Sequence, residues 1–172
     1  MVQQILAFSR QAATEKSGLD LRPLVKEGLK FLRAAIPSTI AIKSNLESGE
    51  SKVMADPTQI HQVLMNLCVN ASHAIGNDIG TILVDLSEVE LDPEVAASNP
   101  SLTPGKYMRL KVTDTGSGID PAHIIRIFDP YFTTKDLGKG TGLGLSVVYG
   151  IVKDHGGAIR VFSESSKGAT FE

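Results

Sequence analysis

The stretch "KYMRLKVTDTGSGI", Lys106–Ile119, decides the fold. In its first half Met108, Leu110 and Val112 alternate with Arg109, Lys111 and Thr113, the two-residue period of a strand with one buried face. The strand then runs into an acid, Asp114, with glycines at 116 and 118. Glycine costs conformational entropy wherever it is fixed, so this density implies a turn with unusual dihedrals or a ligand close to the main chain. Such a strand needs an antiparallel neighbour and a layer of helices over its apolar face.

The flanking sequence supplies both. Upstream, "GTILVDLSEVEL" (Gly80–Leu91) reads as the partner strand, separated from the first by the surface loop "DPEVAASNPSLTPG". Before it, Asp56-Pro57 starts a helix, a cap followed by proline at the first position, which runs to about Ile75 and ends at Gly76. "TIAIKSNL" and "SKVMA" read as short strands, and "LRPLVKEGLKFLRAA" as a helix capped by Asp20 and ended by Pro37. "SGLD" reads as a break after an earlier helix: in residues 1–16, Met1, Ile5, Phe8 and Ala12 recur at helical spacing. Downstream, "PAHIIRIF" reads as a short helix capped by Asp120 and "DPYFTTKDLGKGTG" as a long loop. "LGLSVVYGIVKDH" is then a helix stopped by Gly156-Gly157, "AIRVFSES" a strand and "GATFE" the start of another. Helices and strands mix without strict alternation. The fold class expected is α+β, a two-layer α/β sandwich in which helices cover one face of a mixed, mostly antiparallel sheet.

The 172 residues hold one domain, or one domain with an appendage. The net charge of -2 gives no electrostatic case for nucleic acid or an anionic membrane. The single cysteine, Cys68, excludes an internal disulfide and fits a reducing compartment. There is no run of about 18 apolar residues and no signal-like start. The expectation is a cytoplasmic domain, with membrane attachment of a parent protein left open. The ending inside "GATFE" suggests a piece of a longer chain.

Three features can carry chemistry. On the helix from Pro57, apolar residues cover most of the circumference: Ile60, Val63, Leu64, Leu67, Ala71, Ala74 and Ile75 on one arc, Met65, Cys68 and Val69 on another. Gln62, Asn66, Asn70 and His73 share one strip. Either that strip faces solvent, or it lines a polar cavity, with amide oxygens for a metal or water and N–H groups for an anion. In "DTGSGI", Asp114 either caps a tight turn or reads a ligand's amino group. An ionised carboxylate only accepts, so it suits adenine's exocyclic amine and opposes guanine's carbonyl. In "GKGTGLGL", Gly138–Leu145, glycines alternate up to a helix start, as a flexible loop or as bare amides for a phosphate. Thr133, Thr134, Lys135 and Lys139 lie just before or within it. No strand precedes it directly, and the P-loop spacing is absent.

Taken in order, these features resemble one family. "QVLMNLCVNASHA" resembles the N box of two-component sensor histidine kinases, "DTGSGI" their G1 box, "FDPYFTTK" their F box, "GKGTGLGL" their G2 box and "GAT" their last glycine element. The resemblance covers about residues 17–172. It implies the family's ATP-binding catalytic domain, an α/β sandwich with a glycine-rich ATP lid shared with gyrase, the Hsp90 chaperones and the MutL proteins (the GHKL or Bergerat superfamily). Residues 1–16 resemble the end of the family's dimerisation and phosphoacceptor hairpin.

The resemblance implies ATP and Mg²⁺ as ligands. It gives Asn70 the place of the Mg²⁺ ligand, Asn66 that of the amide one turn earlier, and His73 that of a basic residue near the phosphates. Asp114 takes the place of the adenine reader, helped by a water and by Thr170. Gly116, Gly118 and Ile119 shape the pocket so that the ring comes close, and Phe132 joins them from the F box. Gly138, Gly140, Thr141, Gly142, Leu143 and Gly144 belong to the lid, and Lys135 and Lys139 contact the phosphates. Asn66, His73 and Lys135 form the implied catalytic set. In the gyrase and Hsp90 relatives the position of Asn66 is a glutamate that activates water. An amide is no general base at neutral pH, so the γ-phosphate is kept for another nucleophile. The family's nucleophile is a histidine on the hairpin of the same parent protein, and a response regulator's receiver domain takes the phosphoryl group afterwards. None of His61, His73, His123 and His155 lies in the family's "H-[DE]-x-x-N/T-P" surroundings. The parent is expected to be a homodimer without a nucleic-acid partner. An ATPase, an anti-sigma-type serine kinase and a nucleotide-binding regulatory module of the same fold stay open.

Overall fold

The structure, a computed structural model, describes residues 16–47, 52–94, 102–134 and 140–172. The helix expected over residues 1–16 therefore lies outside the described residues save for Lys16, as do Lys135, Gly138 and Lys139 wholly.

The elements run β1 (Ser17–Asp20), α1 (Leu21–Ala35), β2 (Ile40–Leu46), β3 (Lys52–Ala55), α2 (Pro57–Ile75), β4 (Gly80–Leu91), β5 (Gly105–Asp114), α3 (Pro121–Ile124), α4 (Gly144–Asp154), β6 (Val161–Ser163) and β7 (Ala169–Phe171). Local chemistry sets the helix ends. Asp20 caps α1 by accepting from the Arg22 N–H at 3.0 Å. Asp56 caps α2 by accepting from Thr58 and Gln59 at 2.7 and 3.1 Å, with Pro57 just inside. Gly76, at φ +69°, ends α2. At the exit of α1, the Arg33 guanidinium donates to the carbonyls of Ile36, Pro37 and Ile40, each at 2.7 Å, and so ties the helix to β2.

Two expectations change. "SGLD" is a strand: β1 pairs antiparallel with β3, from Ser17 opposite Ala55 to Asp20 opposite Lys52. "PAHIIRIF" keeps one helical turn, Pro121–Ile124, before it passes into turns. The five-stranded sheet has the order β2-β4-β5-β7-β6. Only β2 and β4 run parallel; the other neighbours are antiparallel.

The helices lie on one face of this sheet. Ile82, Val84 and Leu86 of β4 and Val112 of β5 are buried against Leu64, Leu67, Cys68 and Ala71 of α2, as the two-residue alternation requires. Helix α2 is central, with α1 and α4 as its neighbours, which accounts for its apolar circumference. It approaches α1 at Gly28, where an added Cβ would lie 2.6 Å from Leu64 Cδ2. His155 joins α4 to the start of α2: its Nε2 accepts from the Asp56 N–H at 3.2 Å, which places the proton on Nδ1, 2.8 Å from the Ile151 carbonyl. The opposite face of the sheet is polar, with Lys111 3.4 Å from Asp85 and Arg109 donating to Ser87.

Candidate functional site

Strand β5 ends at Asp114, and alternation turns that side chain to the helical face with Val112. The carboxyl is 5% exposed. Its Oδ1 accepts from the Gly116 N–H at 2.8 Å and from the Ala169 N–H at 3.3 Å. Both recorded bonds fall on one oxygen, which leaves Oδ2 for a donor arriving through the cavity that Asp114 lines. Burial pushes the carboxyl above its ordinary value, against the pull of the two N–H donors.

The turn after Asp114 is fixed by close backbone packing. The Ser117 N–H donates to the Ala74 carbonyl at 3.0 Å, which seats the turn on the end of α2. A Cβ at Gly116 would lie 2.5 Å from the Ala74 carbonyl carbon. At Gly118, φ is +69° and a Cβ would lie 2.2 Å from the Glu164 carbonyl oxygen. The Ser163 hydroxyl accepts from the Ile119 N–H and donates to the Gly168 carbonyl, both at 2.8 Å, and so joins the turn to the β6–β7 connection. These glycines were expected to let an aromatic ring come close. Their missing Cβ atoms also make room for the protein's own main chain.

A cavity of about 830 Å³ opens beside Asp114, between the C-terminal half of α2, the β5–α3 turn, the first residues of β7 and the start of α4. Of the predicted residues, Asn66, Asn70, His73, Asp114, Gly118, Ile119, Phe132, Gly140, Thr141, Gly142 and Gly144 line it. Asn66 and Asn70 meet the start of α4: a Cβ on Gly144 would stand 3.6 Å from Asn66 Oδ1 and 3.7 Å from Asn70 Nδ2. Leu143, the N-cap residue of α4, makes no side-chain capping bond. The Leu143 N–H itself donates to the Thr141 hydroxyl at 3.4 Å, and the amides that follow receive no cap from the Leu143 side chain and carry the positive end of the helix dipole. At the base of the glycine loop the Tyr131 N–H donates to the Gly142 carbonyl at 2.9 Å. Gly142, at φ +65°, leaves no space for a Cβ, which would lie 2.4 Å from the Tyr131 carbonyl carbon.

Three predicted residues stand elsewhere. Gly116 is packed under the turn and does not line the cavity. Leu143 is the helix cap and does not line it either. Thr170 pairs with Thr113 in the β5–β7 register, and their hydroxyls meet at 3.0 Å on the polar face, away from Asp114. Its neighbour Ala169 is the residue that reaches Asp114, through its backbone N–H. Sequence reasoning also passed over Asp120, His123 and Ile127, which line the cavity from the short α3 turn. Their signal was adjacency: "DP" follows "GSGI" directly, so the capped turn stands at the cavity mouth.

Among the described residues no group of His, Cys, Asp and Glu side chains could hold a metal unaided. Beside the start of α4 the Asn66 and Asn70 side-chain amides offer oxygen donors. That set fits Mg²⁺, which keeps waters and takes one or two protein oxygens beside a ligand's phosphates. No described helix is long and apolar enough to cross a membrane.

The model of the family described as "Histidine kinase-, DNA gyrase B-, and HSP90-like ATPase" matches residues 55–172. The chain is 38% identical over 172 residues to the sensor kinase CckA of Brucella abortus, covering 100% of this chain and 18% of that protein. Among solved structures, the nucleotide-free catalytic domain of histidine kinase ThkA matches at 29% identity and a TM-score of 0.70, covering 91% of this chain and 94% of the other. Full-length ShkA in complex with AMPPNP matches at 25% identity and a TM-score of 0.74, covering 99% of this chain and 34% of the other. The chain thus spans about a fifth of the length of CckA and almost the whole of the ThkA catalytic domain.

Proposed function

The chain belongs to the histidine kinase-, DNA gyrase B- and HSP90-like ATPase family as the ATP-binding domain of a sensor kinase, and from that premise we propose that it holds Mg-ATP and gives the γ-phosphoryl group to a histidine on a helical hairpin elsewhere in the parent protein. One observation carries the proposal. A single cavity has a buried acceptor, Asp114, at one end and the uncapped start of α4 beside Asn66 and Asn70 at the other.

Asp114 accepts from the exocyclic amine of adenine on Oδ2 while Gly116 and Ala169 hold Oδ1. Guanine would set its carbonyl against the same oxygen. The amides at the start of α4 receive the phosphates. Asn70, helped by Asn66, would hold Mg²⁺, which supplies charge neutralisation on the triphosphate. Asn66 cannot take a proton from water, so hydrolysis is slow and bound ATP survives until an imidazole arrives. In the transfer, the bond from Pγ to the bridging oxygen breaks as the bond from Pγ to the imidazole nitrogen forms, and ADP leaves. Residues 1–16 are read as the last turns of the hairpin that carries the imidazole. A receiver domain then takes the phosphoryl group, and the parent protein acts as a homodimer.

Incubation with radiolabelled ATP, with and without a separate histidine-bearing hairpin domain, tests this proposal. The expected result is acid-labile label on the hairpin and none on this chain alone, because a missing acceptor domain has no effective concentration. Acid-stable label on this chain would point to a serine or threonine kinase. Rapid phosphate release without an acceptor would point to an ATPase.

A further inference from the structure

Helices α2 and α4 pack on each other in opposite directions. The later part of α2, with Asn66 and Asn70, meets the start of α4 at Gly144. At the far end the helix caps are joined through His155, the C-cap residue of α4. Its Nε2 accepts from the N–H of Asp56, the N-cap residue of α2, at 3.2 Å, and its Nδ1–H donates to the Ile151 carbonyl at 2.8 Å. The imidazole is half-buried, and both ring nitrogens are engaged. This arrangement requires the neutral ring, because a proton on Nε2 removes the acceptor and sets one N–H against another.

Charged groups surround the joint. The Asp56 carboxyl accepts from the Thr58 and Gln59 amides within its own cap. Lys153 and Asp154 precede the ring on α4, and Lys16 donates to the Asp154 carbonyl. Lys52 of β3, Lys106 and Arg109 of β5, and Arg160 line the cavity that His155 borders, and Arg160 pairs with Glu172 at 2.8 Å. Whichever of these groups meets the new proton, the Asp56 N–H loses the acceptor recorded for it.

We propose that His155 is a positioning residue for the phosphate end of the cavity, a clasp between α2 and α4 that holds while its ring is neutral and opens when it is protonated. The inference rests on the reading of that cavity as a nucleotide site. Helix α4 has eleven residues, so the clasp lies about 16 Å from Gly144. With the caps apart, α4 tilts on its buried residues, Val148 and Ile151, and Gly144 moves against Asn66 and Asn70.

The unaltered chain and His155→Gln, both without nucleotide, test the proposal. Glutamine carries an acceptor within reach of the Nε2 position and does not titrate. The imidazole nitrogen shifts read the tautomer and the pH at which the ring takes its proton. Across that pH, the protection of the Asp56 amide from hydrogen exchange, corrected for intrinsic rate, should fall at least about fivefold in the unaltered chain, as for one lost hydrogen bond. A smaller fall should appear at Val147, whose N–H donates to the Leu143 carbonyl at the cavity end of α4. His155→Gln, shown to be folded by thermal melting, should hold both values constant. Protection at Asp56 that stays flat over the folded range of pH overturns the proposal. So does an equal fall in His155→Gln, because another group would then be titrating. A fall at Asp56 with none at Val147 overturns it too, since the clasp would then position nothing at the phosphate end. With no nucleotide present, each outcome is independent of whether the cavity takes ATP.

Discussion

Replacing Asp114 by asparagine tests the base-reading role without dismantling the site. The carboxyl is 5% exposed, and both of its recorded hydrogen bonds arrive on Oδ1 from main-chain N–H groups at 2.8 and 3.3 Å. An asparagine carbonyl accepts the same two bonds, so the turn and β7 stay joined. Burial already favours the uncharged carboxyl, which makes a neutral isostere acceptable to the fold. What changes is the other end of the side chain. Oδ2, an acceptor, becomes an NH₂ group that meets the exocyclic amine of adenine donor to donor. One hydrogen bond to a charged group is lost and one buried donor is left unpaired, about 1–3 kcal/mol, or roughly 5- to 150-fold in Kd. Calorimetric titration with ATP and GTP reads this effect, and thermal melting confirms that the variant is folded. The expected outcome is strong preference for ATP in the parent chain and a marked loss of ATP affinity in Asp114→Asn. Equal affinity of the parent for ATP and GTP, or unchanged ATP affinity in a folded variant, refutes the assignment.

Asn70→Ala should abolish the tightening of ATP by Mg²⁺ while leaving adenosine binding largely intact, since the metal loses its protein oxygen and the base does not; titrations with and without the metal measure both. Gly168→Ala should destabilise the domain by roughly 2–5 kcal/mol, from the left-handed backbone and the steric overlap together. Its φ is +84°, and a Cβ would sit 1.9 Å from the Asp114 carbonyl oxygen, so the urea midpoint should fall steeply, and an unchanged midpoint would contradict the packing described. The raised pKa of Asp114 has two consequences of opposite sign. Because folding favours the protonated carboxyl, its contribution to stability is present below the unfolded value of 3.8 and is lost as pH rises through the folded value. ATP affinity needs the ionised acceptor and should fall as pH drops through the same window; affinity that stays flat there, measured on folded protein, would refute the role given to the carboxylate.

The sequence revealed elements wherever local chemistry decides them. Asp20, Asp56 and Asp120 each accept from the amide two residues on, and Pro57 and Gly76 bracket α2. Such signals are complete within a few residues. Strand β1 was illegible because four residues, one of them glycine, have no strand preference of their own; it exists because β3 offers a ladder. The single turn kept by α3 and the three-residue length of β6 are tertiary in the same sense. The strip of Asn66, Asn70 and His73 was legible because helical periodicity fixes which side chains share a face. Whether Thr170 or Ala169 meets Asp114 turns on strand parity. A one-residue change of register swaps the two, and no local signal sets that register.

The two ends of the cavity are built to different tolerances, which fits the different work proposed for them. Around Asp114, the positions of added Cβ atoms at Gly116, Gly118 and Gly168 fall between 1.9 and 2.5 Å from protein backbone. Three separate segments are interlocked there, the turn after β5, the end of α2 and the β6–β7 connection. Moving any one of them displaces the others, so the Asp114 acceptor is held by main chain throughout. At Gly144, the first residue of α4, the clearance is ordinary: a Cβ there would find its nearest neighbour, Asn66 Oδ1, at 3.6 Å, although two residues earlier Gly142 is packed against the Tyr131 backbone. That end is shaped by side-chain amides and by a cap residue, Leu143, whose own side chain makes no capping bond. Base selection requires a fixed acceptor, because a carboxylate free to turn away would no longer oppose guanine's carbonyl. Phosphoryl transfer requires the triphosphate to shift as its bond breaks and an imidazole to approach, which an interlocked wall would resist. On the proposed reading, the glycines of the first motif serve rigidity at the base end, whereas Gly144, with room beside it, belongs to the end that would accommodate a moving group.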